Sequence, residues 1–597
     1  MLSAFAQSLQ SFHFYDNQFD LLGGQYLNPI AFGSTKKYFY LIEDTTVVGL
    51  DTTFIISFRP QLSNDLNGLT GVLFINTNGW AIEKVIAEPF KQNGSVKIVQ
   101  EYKLIDNKKW FPVDLKTKIR LSDNSAISIG GVNGILEGNG NTYIKNIVLN
   151  PDGIKKSGFG NIALSTDVNA DVVSDQKWNE LRKDTLSDRE LRTYHVLDSL
   201  AKDVNLDRKL EFLSALTTGK LRMGYVSLPL DRIVNYNLYE GFRLGAGLET
   251  SNRLSKHFII GGYFAWGTKD KDWKYGGYST IHLNRRLGMS IDLKYQQDLL
   301  HRGSNKVAKT TWDLTSASMY TNLFQKYMDR QQLAQLTYTV APLGNLTMHL
   351  SANYQRLNFT QNYLFINDDN VVFDKQDFAE TSFEMNWNIR QRIILIGDIR
   401  KAQPTVYPKL RLKVTKGWSG IGEATTDYMR LFTSINEDIK STRFGTLNLH
   451  LEGSQTFGDV PLALRQNAIG TNQQFSIVTT NVFETAFPGE FYNDRQASFI
   501  VRYTFPKIKT KSSVFKPEFA LHHGIGYGDM ANKLQHTMYF STMDKGLYEG
   551  GLIMNGVLNT RLLQIGVGVF YRYGYYSDKD VLNNFVPKIS LKVIGLD

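Results

Sequence analysis

The sequence predicts a mainly β protein: a C-terminal transmembrane antiparallel β-barrel of about 16 strands, with 14 as the alternative, preceded by an N-terminal periplasmic curved β-meander and short helices. Three observations predict it. In Leu346-Thr347-Met348-His349-Leu350-Ser351-Ala352-Asn353-Tyr354-Gln355 every second residue is apolar and the intervening ones are polar. Successive strand side chains point to opposite faces, so this is a strand with one apolar and one polar face. The pattern recurs through the C-terminal three-fifths of the chain in segments of about ten residues, the length that crosses a bilayer as a tilted strand. Finally, no run of eighteen apolar residues exists, so any membrane crossing falls to strands rather than helices.

The chain divides into three expected domains: a periplasmic meander over 1–170, a helical linker over 171–238 at the periplasmic mouth, and the barrel over 239–597. In the first, strand candidates are Lys37–Ile42, Thr52–Arg59, Thr70–Asn76, Ala81–Ala87, Ser95–Leu104, Trp110–Leu121 and Thr142–Leu149. Turn-forming residues separate them, as in Asn76-Thr77-Asn78-Gly79 and Asp106-Asn107-Lys108. A concave apolar face is expected from Phe54, Ile56, Phe58, Val72, Phe74 and Trp80, which serve equally well as plain core. In the linker, Ser174 or Asp175 caps a helix through Trp178, Leu181 and Arg182. Ser187 and Glu190 have capping-box spacing for a second helix along Leu191, Tyr194, Leu197 and Leu200, and a third covers Leu210–Leu216.

From about Tyr239 the alternation dominates. Phe242, Leu244, Ala246 and Leu248 oppose Arg243, Gly245, Gly247 and Glu249; Leu563, Ile565, Val567, Val569 and Tyr571 oppose Gln564, Gly566, Gly568, Phe570 and Arg572. Between them lie strands at His257–Trp266, Trp273–Leu283, Met289–Leu299, Gln331–Val340, Phe378–Ile389, Lys409–Lys416, Tyr428–Asn436, Thr442–Glu452, Ala497–Phe505, Phe515–Gly524 and Tyr548–Leu558, and Ile589, Leu591 and Val593 close the chain. The long gaps near 300–330, 358–376 and 456–490 read as extracellular loops, and Pro342-Leu343-Gly344-Asn345 as a periplasmic turn. A charge on the lipid face costs about 2–4 kcal/mol at mid-bilayer. The polar positions are therefore lumen-facing candidates: Arg243, His349, Asn353, His450, Asp494, Arg495, Arg502 and Arg572. Glycines on the same face let a neighbouring backbone or a plug approach closely. A large soluble sandwich or propeller is the alternative that alternation also permits.

Composition narrows the function. The chain has 597 residues, 12% aromatic, a net charge of +10 and no cysteine. Thiolate catalysis, CxxC zinc sites and disulfides are excluded. The basic residues are scattered, which argues against nucleic acid and suits a surface facing anionic headgroups. The ten histidines are dispersed, and His522 and His523, adjacent on a strand, face opposite ways and cannot share a metal. No HExxH, GxSxG or P-loop spacing occurs, and Gly130-Gly131-Val132-Asn133-Gly134 is not followed by the Lys-Ser/Thr of a phosphate loop. No cofactor, metal or catalytic residue is expected. Met1-Leu2-Ser3-Ala4-Phe5-Ala6-Gln7 lacks the basic start and apolar stretch of a signal peptide, so an exported chain implies a longer precursor or a misassigned start.

Several motifs resemble one uncharacterised Bacteroidota outer-membrane barrel family, whose members carry a carboxypeptidase-regulatory-like domain ahead of a domain of unknown function. They include Phe14-Tyr15-Asp16-Asn17, Leu27-Asn28-Pro29-Ile30, Phe54-Ile55-Ile56-Ser57-Phe58-Arg59-Pro60, Gly241-Phe242-Arg243-Leu244-Gly245, Tyr263-Phe264-Ala265-Trp266-Gly267 and Glu490-Phe491-Tyr492-Asn493-Asp494-Arg495. The resemblance implies an outer-membrane location, a C-terminal barrel and no assigned activity. The regulatory-like domain is not seen at the front, and Ile594-Gly595-Leu596-Asp597 lacks the terminal aromatic usual in bacterial barrels. More weakly, the meander looks like the half-open barrel of periplasmic lipoprotein carriers, and the domain order looks like the BamA and TamA assembly factors. The expected function is a non-enzymatic outer-membrane barrel that handles or translocates an envelope component: lipid, lipoprotein or outer-membrane protein. A passive porin or ligand channel is the alternative, and a barrel enzyme a lesser one. Outer-membrane lipid and other envelope proteins or lipidated cargo are the expected partners.

Overall fold

A computed structural model describes residues 12–593 except 22–23, 62–67, 91–95, 121–126, 130–131, 135–136, 153–161, 167–173, 183–187, 189–191, 193–214, 216–217, 304–322, 398, 404, 406, 442–443, 474–475, 509, 511, 513 and 561–562. The chain is mainly β and forms two units, one of residues 1–158 with 173–207 and the other of residues 159–172 with 208–597. The boundaries differ from those expected at 170 and 238, because the strand Ile162–Ser165 pairs with Ile393–Ile396 and so belongs with the second unit.

The first unit holds a seven-stranded antiparallel meander: β1 (Tyr38–Val48), β2 (Asp51–Pro60), β3 (Leu69–Asn76), β4 (Ala81–Pro89), β5 (Val96–Ile105), β6 (Lys109–Arg120) and β7 (Glu137–Tyr143), each paired with the next along the chain, β6 with β7 across a longer connection. One face packs Phe58, Leu73, Val85, Ala87, Ile98 and Ile119 into a core closed by Phe14, Leu21 and Tyr26. Gly71 lets β3 and β4 approach, since a Cβ there would lie 2.0 Å from the Ile86 carbonyl oxygen. The register corrects the expected apolar face. Ile56 stands opposite Leu73 and Ser57 opposite Val72, so Phe54, Ile56 and Phe58 lie on one side while Val72 and Phe74 lie on the other. Alternation within each strand is right; a hairpin register one residue away reverses which rows meet. Trp80 sits in the turn at φ 50°, exposed, with its ring stacked 6.1 Å from Phe54. Of the three expected helices, the first is present as α1 (Asp175–Leu181), its Ser174 Oγ accepting from the Lys177 amide at 3.4 Å. The second and third fall largely outside the described residues.

The second unit is built on an 18-stranded antiparallel sheet. It runs β8 (Lys220–Met223), β9 (Val226–Pro229), β10 (Val234–Asn237), β11 (Gly241–Thr250), β12 (Phe258–Gly267), β13 (Trp273–Asn284), β14 (Met289–His301), β15 (Met328–Leu343), β16 (Leu346–Asn358), β17 (Lys375–Asn388), β18 (Lys409–Trp418), β19 (Tyr428–Ser441), β20 (Gly445–Phe457), β21 (Arg495–Thr504), β22 (Glu518–Asp529), β23 (Leu547–Asn559), β24 (Leu563–Tyr573) and β25 (Phe585–Val593). The expected linker over 171–238 is corrected here. Residues 220–237 form three four-residue strands broken by a 3-10 turn at Leu230–Arg232, too short to display an alternation. Both β9 and β10 lie against β11. Among the described residues no pairing joins β25 back to β8, β9 or β10. The outer edge of β25 instead meets Ser476–Val478, where the Val478 amide donates to Ile589 O (2.9 Å) and the Ile589 amide donates to Ser476 O (3.1 Å).

The two faces of this sheet are sharply unlike. Phe242, Leu244, Phe264, Leu293, Leu336, Leu350, Phe499, Leu521 and Leu552 are exposed on one. On the same sheet Glu249, Asp298, His349, Glu384, His450, His522, Glu549, Arg572 and Lys588 are buried on the other. At one end of the sheet the long loops fold together. Tyr363, Phe365, Leu462, Tyr492 and Met530 form an apolar cluster from four segments. Beneath it, Arg302 and Asp329 make a fully buried ion pair at 2.6 Å, with the guanidinium 4.7 Å from the Tyr363 ring.

Candidate functional site

The buried polar face is occupied by the chain itself. The described part of residues 458–494, which join β20 to β21, runs as a strap along β20–β25. Glycine makes the approach possible. A Cβ on Gly526 would lie 2.6 Å from the Phe483 ring, and one on Gly568 would lie 2.9 Å from Val478. Phe483 joins Ala486, Phe491, Met543 and Leu547 in a small apolar cluster that seats the strap.

Ionic contacts then pin it. Glu549 on β23 is fully buried and accepts four hydrogen bonds: from the Glu484 amide (2.9 Å), the Thr485 amide (2.8 Å), Thr485 Oγ1 (2.7 Å) and His522 Nε2 (2.8 Å). Glu484 in turn accepts from Lys588 Nζ (2.8 Å) and Arg502 Nη2 (3.3 Å), and Lys588 also donates to Thr471 Oγ1 (2.6 Å). Arg502 donates to the Thr479 carbonyl at 2.7 Å. Arg572 grips Glu490 with two nitrogens at 2.6 and 2.9 Å and donates to the Thr485 carbonyl. At the strap's ends Arg465 pairs with Asp494, and Gln466 donates to Glu452 (3.1 Å). A buried charge is tolerated only when paired and hydrogen-bonded. Here Glu484 and Glu490 of the strap each meet cations carried by the sheet.

The expected inward residues are placed as follows. Arg243 is on the buried face between Glu240 (2.9 Å) and Asp298 (2.6 Å). His349 bonds Thr339 Oγ1 (2.9 Å), Asn353 bonds Glu380 (3.4 Å), and His450 bonds Asn436 (2.7 Å). Arg502 and Arg572 touch the strap, and Asp494 is its last residue. Arg495 is the correction: its side chain is 70% exposed and pairs with Asp529 at 3.6 Å at the rim. It shares parity with Ala497, Phe499 and Val501, the exposed apolar row, so alternation sends it outward. His522 and His523 do face opposite ways, His523 bonding Tyr573 Oη (2.7 Å) on the exposed side. Glu484, Glu490, Glu549 and Lys588 carry the site and were not singled out by sequence. Glu549 and Lys588 could have been found as charges at inward parity, whereas nothing in an irregular strap marks Glu484 or Glu490. Among the described residues no group of His, Asp and Glu could hold a metal ion.

The loop cap contains one group whose protonation is strongly biased. His536 lies among Tyr363, Phe365 and Phe540, and burial, then the nearby Arg465, lowers its pKa to about 3. The folded chain therefore refuses a proton that the unfolded chain accepts below about pH 6.5. This contribution to stability is present above that pH and is lost as pH falls toward 3, by up to about 1.4 kcal/mol per pH unit. Protection factors of amides in the 530–546 loop, taken relative to the intrinsic exchange rate at each pH, should fall on acidification from pH 7 to 5, and His536→Phe should remove that part of the pH dependence.

Three solved structures are similar to part of the chain. BamA from Haemophilus ducreyi lacking POTRA domains 1–3 is 12% identical, with a TM-score of 0.38 over 60% of this chain and 68% of that one. CdiB from Escherichia coli is 10% identical, with a TM-score of 0.34 over 60% of each chain. OccK11 (OpdR) from Pseudomonas aeruginosa is 12% identical, with a TM-score of 0.25 over 56% of this chain and 87% of that one. No curated protein sequence matches the chain. Family models do match: the model of a family of unknown function, DUF5686, covers residues 3–127, and the model of that family's C-terminal domain covers 217–459. Together the two matches span more than half of the chain, which belongs to the DUF5686 family of unknown function.

Proposed function

We propose that the second unit is a transmembrane β-barrel of the bacterial outer membrane and that the strap fills its lumen. The observation that carries this reading is the inversion of the large sheet, with apolar side chains exposed and charged ones buried. Soluble monomers rarely expose contiguous apolar patches beyond a few hundred Å². In a bilayer the same surface is in its preferred solvent. The strand count is of barrel size: β9 and β10 share one edge of β11 and make a single interrupted row, so β9 to β25 form about sixteen rows, with the four-residue β8 paired to β9 beyond them. The folded loops lie at the end with the longer connections, the extracellular end in such barrels, and the first unit is then periplasmic.

In this reading the barrel is not an open pore. It anchors the first unit at the membrane, and the protein handles or translocates an envelope component rather than catalysing a reaction. The pinned strap is the support for transport or biogenesis over passive diffusion, because it occupies the path a solute would take. The test is fractionation and gel mobility. The full chain should remain in membranes after carbonate washing, require detergent, and migrate faster unheated than heated in SDS gels. A detergent-independent soluble monomer would overturn the membrane assignment, and a large steady conductance of the unmodified protein in planar bilayers would favour the porin reading instead.

A further inference from the structure

The strap does not fill the whole polar face. Between its Thr480–Val482 and the inner side of β17–β20 lies a cavity of about 360 Å³. A water occupies about 30 Å³ of liquid, so the space suits one small solute, within the usual size range of ligand pockets. Register brings its walls together: Asn386 stands opposite Arg411, Arg411 opposite Ser434, and Asn436 opposite His450. The strap adds Asn481, held in a left-handed conformation at φ 59° and donating to Asn436 Oδ1 at 3.1 Å.

The polar groups on these walls are mostly satisfied among themselves. Asn436 Oδ1 receives both His450 and Asn481, and Asn388 donates to Gln391. Arg411 is different. Its Nε donates to Glu384 at 3.1 Å and its guanidinium lies 5.0 Å from the Phe432 ring, so the fork is held in place. Its Nη2 is buried and has no hydrogen-bond partner among the described residues. Nη2 is closed even to water, so an acceptor in the cavity meets Arg411 through the 19% of its side chain that stays exposed. Lys409 adds positive charge on the same wall, while Glu452 on the far wall limits how much negative charge the space accepts. The amides and hydroxyls between them offer both donors and acceptors, as hydroxyl groups require.

We propose that this cavity binds a small hydroxylated carboxylate of sugar-acid size, its carboxylate on Arg411 and its hydroxyls on the asparagine-lined wall. A guanidinium on the wall favours an anionic group through a charge-assisted hydrogen bond. The inference does not rest on the membrane reading, because strand walls and strap belong to one unit and would enclose the cavity in either solvent.

The experiment is calorimetric titration of the full-length purified protein with glucuronate, glucose and inorganic phosphate, each to about 10 mM, which reaches dissociation constants in the millimolar range. Glucuronate should bind and glucose should bind at least about tenfold more weakly, the loss expected from one charge-assisted contact. Phosphate binding as tight as glucuronate would overturn the hydroxylated-carboxylate assignment, and so would equal binding of glucose or no binding of glucuronate. Arg411→Gln should weaken glucuronate about tenfold or more, and Ser434→Leu, which fills the space and leaves Arg411 intact, should abolish binding. Unaltered affinity in both variants would place any binding elsewhere and overturn the site. The comparison of the three solutes on the unmodified protein keeps the inference decidable if either variant fails to fold.

Discussion

Glu549→Ala should release the strap and, in the barrel proposed above, turn a plugged lumen into a conducting one. The side chain is fully buried and receives two backbone amides, a threonine hydroxyl and a histidine. Its removal strands those donors, and each buried donor left unpaired costs about 1–3 kcal/mol. The alanine cannot replace them, and a cavity is left where the carboxylate was. The strap's remaining ties, Glu484 to Lys588 and Glu490 to Arg572, then bear a segment whose central backbone amides have lost their acceptor. Planar-bilayer recordings should show unmodified protein with little conductance and Glu549→Ala with frequent, large openings. Protease cleavage within 476–487 should rise in parallel, whereas Glu549→Gln, which keeps one carbonyl acceptor, should fall between the two. Equal conductance of all three would mean that the strap does not gate the lumen.

The fold was legible because alternation reports on solvent. Each strand expected between His257 and Val593 is present, mostly extended by one to several residues at its ends. The extension is tertiary: at Met328–Leu343 and Tyr428–Ser441 the pairing partners are long enough to continue the ladder past the point where the pattern fades. The four-residue strands at 220–237 were missed because four residues cannot distinguish a period of two from chance. The faces of the first unit show another limit. Phe54 and Val72 each read correctly within their own strands, but only the pairing of Ser57 with Val72 tells that they part company. Arg495 shows that parity should override residue type, since its own apolar row already pointed outward. The site was less legible than the fold. Arg502 and Arg572 are marked by charge at inward parity, but their partners Glu484 and Glu490 lie in a segment with no periodicity, joined to them only by tertiary folding.

Arg302→Ala should unfold the loop cap while leaving the sheet intact. Arg302 follows directly on β14 and is the largest fully buried side chain among the described residues of the unit. It donates to both carboxylate oxygens of Asp329, at 2.6 and 2.8 Å, and to the Thr360 carbonyl at 2.7 Å. Asp329 also accepts the Thr360 amide at 3.0 Å, so one ion pair joins β14, β15 and the loop after β16. Truncation of the cation leaves Asp329 buried and uncompensated, which costs about 3–5 kcal/mol. Losing both charges to well-packed apolar groups costs far less, because the desolvation of both ions is removed together. The double variant Arg302→Met with Asp329→Leu should therefore recover most of what either single change loses. Hydrogen exchange would read this directly, with amides at 360–366 and 530–541 deprotected in Arg302→Ala and largely re-protected in the pair, while β16 and β22 stay unchanged. Deprotection as deep in the double variant as in the single one would mean that the charges themselves, rather than their balance, hold the cap closed.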